Sequence, residues 1–107
     1  REKESHIFVH PCVMAYLVDI VDATRNAENI LSGVSPRGSL ALLRCAKAYA
    51  YLQGREYVIP DDIRLLSVPV MAHRLVLGYG ASGTEDAKSL IGQLLDRLPV
   101  PTEDFTL

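Results

Sequence analysis

Apolar residues recur along this chain at helical spacing in four stretches. From about Pro11 to Arg25, Met14, Leu17, Val18 and Val21 fall at i, i+3, i+4 and i+7, and Asp19 and Asp22 mark the wet face. Pro11 suits a first helical position, where its missing N–H costs nothing. Asn26 to Ser32 carries no such pattern and reads as loop. A second helix opens at Ser35-Pro36, an N-cap followed by proline at N1. It runs through Leu40, Leu42, Leu43, Cys45, Ala46, Tyr49, Ala50 and Leu52 and stops at Gly54, a good C′ residue. This segment is apolar nearly all round apart from a stripe of Arg37, Arg44 and Lys47, a pattern that belongs in the centre of a bundle.

Tyr57-Val58-Ile59 is β-branched and precedes Pro60, so it is expected to be extended. Pro60-Asp61-Asp62 starts a short helix through Ile63, Leu65 and Leu66, with acids at its positive end. Pro69 is expected to interrupt it, with Val70 to Leu75 resuming as a turn or two of helix and Val76-Leu77 forming a short strand. A glycine-rich loop, Gly78 to Gly83, leads to a last helix, about Thr84 to Leu98, in which Ala87, Leu90, Ile91, Leu94, Leu95 and Leu98 form one stripe. Glu85 and Asp86 at its start and Arg97 at its end match the helix dipole. Pro99 and Pro101 stop it, and residues 102–107 read as a loose tail. The sum is an all-α domain, a small four-helix bundle spanning residues 11–101, with room for one short two-stranded β element.

The chain has 107 residues, 49% of them apolar and 22% charged, with a formal net charge of -2. That balance fits one ordinary globular domain and argues against a disordered tail or a domain built to grip nucleic acid. No apolar run is long enough to span a membrane, and the charged opening, Arg1 to His6, leads into no signal peptide. A first residue other than Met implies a fragment or a processed product. The two cysteines, Cys12 and Cys45, are too few for a disulfide framework or a zinc site. Both sit in apolar helical patterns, where a thiol acts as a small hydrophobe, and they point to a reducing, cytoplasmic compartment.

Arg37 is the most informative position. With Ser35 as N-cap it occupies N2, at the positive end of a helix, where a cation is disfavoured by roughly 0.3–1 kcal/mol. An anion in front of it would reverse that penalty, since free backbone N–H groups, the dipole and a guanidinium together make a phosphate site. A solvated arginine that tolerates the small cost is the plainer explanation, and physics alone leaves both open.

Gly33-Val34-Ser35-Pro36-Arg37, running into Ser39-Leu40-Ala41-Leu42-Leu43-Arg44, resembles the sensor 2 helix of the MoxR family of AAA+ ATPases. Tyr16 to Val21 with Ala23-Thr24-Arg25 is similar to that family's first lid helix, and Gly54 to Ile63 and His73-Arg74-Leu75 resemble its later segments in order. The likeness covers about Val9 to Pro101; single tripeptides are weak, but their ordered combination is fairly specific. It implies the C-terminal helical lid of such an ATPase, with residues 1–10 as a linker from the missing core. Ser35 and Arg37 would be the nucleotide-binding residues: Arg37 the sensor 2 arginine reaching the γ-phosphate of ATP held with Mg by the core domain, Ser35 and Pro36 setting the helix start that aims it. The implied partners are the lid's own core domain, a homo-oligomeric ring and client proteins of unknown identity, served by chaperone-like remodelling; some relatives are named for magnesium chelatase. The resemblance assigns Arg25 no role, and a surface or interdomain salt bridge is the expectation. Gly38, where alanine is expected, should loosen the first turn by ~1 kcal/mol, and the glycine-rich loop is richer in glycine than the family pattern.

No G-x-x-x-x-G-K-[ST] loop occurs, so the chain alone is expected not to hydrolyse ATP or to carry a cofactor. Val18-Asp19 mimics the end of a Walker B strand, but helical periodicity excludes it. Gly78 to Gly83 satisfies G-x-G-x-x-G, yet neither a second parallel strand nor the distal acid of a dinucleotide site follows. His6, His10 and Cys12 lie close together, but Pro11 breaks helical spacing and no further ligand follows, so no metal is expected. His73 reads as a structural or surface histidine, and Asp61 and Asp62 as capping and dipole chemistry. The rival to the lid is a free-standing helical module that binds protein or DNA. Its basic stripe speaks for it; the acidic net charge and the expected burial of that helix speak against it.

Overall fold

The computed structural model describes residues 6–26, 30–32, 34–72, 76–77, 83–102 and 105. Four helices carry the fold: α1 (Pro11–Asn26), α2 (Pro36–Leu52), α3 (Pro60–Met71) and α4 (Gly83–Arg97). Two short strands, β1 (Ile30–Ser32) and β2 (Val76–Leu77), pair antiparallel with an irregularity between Ile30 and Ser32. The four-helix reading and its short two-stranded element are both present. Of the loop expected over Asn26 to Ser32, Asn26 instead ends α1 and the last three residues form β1. Three residues have no periodicity to display, and their strand character comes from the partner, β2.

α1 starts because Pro11 fills N1 and His10 precedes it as a cap, its Nδ1 accepting from the Cys12 N–H at 3.0 Å. Val13, Tyr16, Leu17, Ile20, Val21 and Thr24 are its buried positions, a stripe at helical spacing that faces the other helices. α2 ends at Gln53, and Gly54 takes φ +78°, a left-handed conformation that glycine adopts without strain.

The helix expected at the centre of the bundle lies instead on its flank. Of the α2 residues only Gly38, Leu42, Ala46 and Ala50 are buried, one narrow stripe packed mainly against α3. Leu40 is 45% exposed and Leu52 77%. Composition could not distinguish an all-round apolar helix enclosed by its own domain from one that leaves a face open.

Pro69 does not interrupt α3, which runs unbroken from Pro60 to Met71. Proline removes one hydrogen bond and crowds the previous turn, a cost of about 3 kcal/mol in a helix interior. Here the freed carbonyl belongs to Leu65, which is 54% exposed, so water can satisfy it. Ile63, Ser67 and Met71 are all buried, so packing on one side continues across the proline and holds the helix together.

The extended reading of Tyr57 to Ile59 holds. Phe8 bridges to Tyr57, its N–H donating to the Glu56 carbonyl at 2.8 Å while Val58 N–H donates to the Phe8 carbonyl at 2.9 Å. Two residues outside the helices also join the packing: Ile7 is buried in the core, and Phe105 packs against the core. His10 meets the rings of Phe8 and Phe105 edge-on.

Two arginines tie the helices together. Arg55 donates to both carboxylate oxygens of Asp62 at 2.7 Å and to the Tyr57 carbonyl at 3.1 Å. The hydrogen bond to Asp62 raises the Arg55 pKa above its ordinary value, so the guanidinium stays charged. Buried Asp62 also accepts from the Ile59 N–H at 3.0 Å, which starts α3. Arg64 donates to the Tyr16 hydroxyl at 3.2 Å and to the Leu95 carbonyl at 3.1 Å, joining α3 to α1 and α4.

Candidate functional site

The start of α2 is built from the residues just before it. Ser35 is extended, at φ -74° and ψ 165°, and its Oγ accepts from the Gly38 N–H at 3.2 Å. The Ser35 carbonyl then accepts the first helical hydrogen bond, from Ser39 N–H at 2.9 Å. Ser35 is therefore the N-cap, Pro36 N1 and Arg37 N2, as the residue pattern predicts.

Arg37 is exposed, and no described residue hydrogen-bonds or ion-pairs with its guanidinium. The amides around it are fewer than a helix end ordinarily offers. Pro36 has none, and those of Gly38 and Ser39 are taken by Ser35. Only the Arg37 N–H remains to face an anion. A phosphate here would meet one amide and one guanidinium, enough to sense an anion but a thin basis for holding one. Gly38 is buried, where the sequence pattern had suggested only a looser first turn.

The turn that carries Ser35 is anchored to the end of α1. Thr24, fully buried, accepts from the Val34 N–H at 3.1 Å and donates to the Val21 carbonyl at 2.6 Å. Arg25 donates from Nε to the Val34 carbonyl at 3.0 Å and pairs with Asp22 at 3.4 Å. The surface salt bridge expected of Arg25 exists, but its bond to Val34 lies beyond sequence reasoning. A threonine and an arginine at the end of a helix give no sign of which later peptide they will hold.

Arg37, Leu40, Arg44 and Tyr51 are all exposed and recur at spacings of three, four and seven, on the side of α2 away from its buried stripe. The basic stripe is therefore not enclosed, and the argument against nucleic acid from its burial fails; the acidic net charge still stands against it. Cys12 is partly buried, but Cys45 is exposed and does not act as the core hydrophobe expected. His10 Nδ1 is engaged as a helix cap, and no metal-ligating cluster occurs among the described residues. Asp61 is exposed; Asp62 combines capping with the Arg55 pair that sequence spacing did not announce. His73 and the loop from Gly78 lie outside the described residues as far as position 82. No described helix is long and apolar enough to cross a membrane.

Comparison with known proteins completes the picture. Residues 22–93 match the family model described as AAA lid domain. The chain is 36% identical to protein MoxR of Paracoccus denitrificans over 92% of its length, and 34% identical to chaperone MoxR1 of Mycobacterium tuberculosis over 94%. It is also 40% identical, over 85% of its length, to the uncharacterized protein YeaC of Bacillus subtilis. A candidate ATPase from Cytophaga hutchinsonii superimposes with a TM-score of 0.83 at 27% identity, covering 94% of this chain and 34% of that one. This chain belongs to the AAA lid domain family, as the lid domain of a MoxR-family AAA ATPase. It spans 22–33% of the length of the curated relatives it matches. Membership replaces the free-standing module as the account of this fold.

Proposed function

We propose that this lid senses bound ATP through Arg37 and couples its hydrolysis, in a ring of identical subunits, to chaperone-like remodelling of partner proteins. The observation that carries the reading is the placement of Arg37: an exposed cation at the positive end of a capped helix, with no described residue to neutralise it. A bound terminal phosphate supplies the negative charge that turns this unfavourable position into a favourable one. Ser35 sets the direction of the first turn through its cap bond to Gly38. The core domain supplies the phosphate-binding loop, Mg and most of the affinity, since this helix end has one free amide to contribute.

The open face of α2 supports the same reading. Leu40 and Tyr51 are 45% and 40% exposed on the side that bears Arg37, which is where a nucleotide-holding core would lie. The chaperone role rests on the naming of the mycobacterial relative. A cytoplasmic setting fits Cys12 and Cys45, which form no disulfide.

The test is Arg37→Ala in the ATPase that carries this lid, with steady-state ATP turnover measured beside the lid's folding. Turnover should fall sharply while the lid stays folded; wild-type turnover would remove Arg37 from the mechanism. This chain by itself should bind ATP only weakly, and micromolar binding by calorimetry would contradict the division of labour between lid and core.

A further inference from the structure

We propose that Thr24 and Arg25 are positioning residues for Arg37, a proposal that rests on the sensing role argued above. The observation is a two-sided grip on a single residue. The N–H of Val34 is held by Thr24 Oγ1 at 3.1 Å and its carbonyl by Arg25 Nε at 3.0 Å. Both holders are consecutive residues at the end of α1, and Val34 immediately precedes the cap of α2.

Each partner of the grip is itself fixed. The Thr24 hydroxyl has one proton, which goes to the Val21 carbonyl, so its lone pair must face the Val34 amide. The Arg25 guanidinium is turned by its contact with Asp22 at 3.4 Å. Val34 is 1% exposed, so little water can replace either bond if it is lost. A residue anchored at both its donor and its acceptor fixes the direction in which the chain enters Ser35. Ser35, through its bonds to Gly38 and Ser39, passes that direction to the first turn of α2 and hence to Arg37.

A purely structural grip would serve stability alone. A positioning grip makes the discrimination between ATP and ADP depend on two residues that never touch nucleotide, because a displaced Arg37 loses its contact with the terminal phosphate, the one group that ADP lacks. The two roles separate in one experiment on the lid-bearing ATPase: affinity for ADP and for a β,γ-imido analogue of ATP, with their ratio as the readout. Thr24→Val removes the hydroxyl at constant shape, Thr24→Ser restores it, and Arg25→Met keeps length without a donor. Thr24→Val and Arg25→Met should each lower the preference for the ATP analogue by about tenfold, the scale of one charge-assisted hydrogen bond, with ADP affinity unchanged. Thr24→Ser should retain the preference, and neither loss should add to that of Arg37→Ala.

Preference retained in both Thr24→Val and Arg25→Met, or lost only in step with ADP affinity, or falling further in the Arg37→Ala background, overturns the positioning role. If Arg37→Ala itself keeps the preference, the sensing role falls and this proposal with it; if Arg37→Ala loses it while the grip variants do not, the positioning role alone fails. The partly exposed Arg25 side chain makes Arg25→Met informative even if Thr24→Val does not fold.

Discussion

Arg55 and Arg37 are both arginines near the ends of α2, and they stand at opposite extremes. Arg55 spends its donors inside the domain, on both oxygens of a buried carboxylate and on a backbone carbonyl. Arg37 has no described partner and sits where the helix dipole opposes it. An arginine that stabilises a fold is recognised by what it touches. Under the proposed function Arg37 is kept for a ligand, and its mark is an unfavourable charge with no described partner.

The contrast can be broken most directly at Arg37. In the lid-bearing ATPase, Arg37→Ala should lower turnover by about a hundredfold or more, given the weight an arginine carries at a transferring phosphate. The same change should stabilise this chain slightly, by about 0.3–1 kcal/mol, because it removes a cation from the positive end of α2. A loss of stability as large as the loss of turnover would erase the distinction between the two arginines.

Asp62→Ala makes the converse prediction. It strands Arg55 and removes the partner of the Ile59 N–H, and should destabilise the chain by about 2 kcal/mol in urea unfolding. That figure lies below the usual cost of breaking a fully buried pair because the Arg55 side chain is 22% exposed and can reach water. An unchanged midpoint would show that the pair is ornamental.

Ser35→Ala sits between the two arginines, since Ser35 caps the helix that carries Arg37. Loss of the cap should cost about 1 kcal/mol, and Ser35→Asp, which retains a cap acceptor, should restore stability. If Ser35→Ala leaves the melting curve in place, the Gly38 hydrogen bond contributes nothing. The smallest effect is expected at Leu40: Leu40→Ser should shift the stability of this chain by no more than about 0.5 kcal/mol, because the side chain packs on little within the domain. A core-sized loss would mean that α2 is enclosed after all.

The local chemistry of the helix starts was legible in the sequence. Pro11, Ser35-Pro36 and Pro60 mark them through rules that involve neighbours within one turn, and Gly54 ended α2 for the same reason. Arg37 at N2 follows from those rules alone, so the central residue of the candidate site needed no structure to find it. What only the tertiary structure decided depends on residues far apart in the chain. It carried α3 through Pro69 by packing Ile63, Ser67 and Met71 on the far side, made β1 by supplying β2, and left a face of α2 open that composition had assigned to the core. It also set Thr24 and Arg25 on Val34. Spacing within a helix is dictated by the helix itself, whereas burial and long-range hydrogen bonds belong to whichever surfaces the chain brings together.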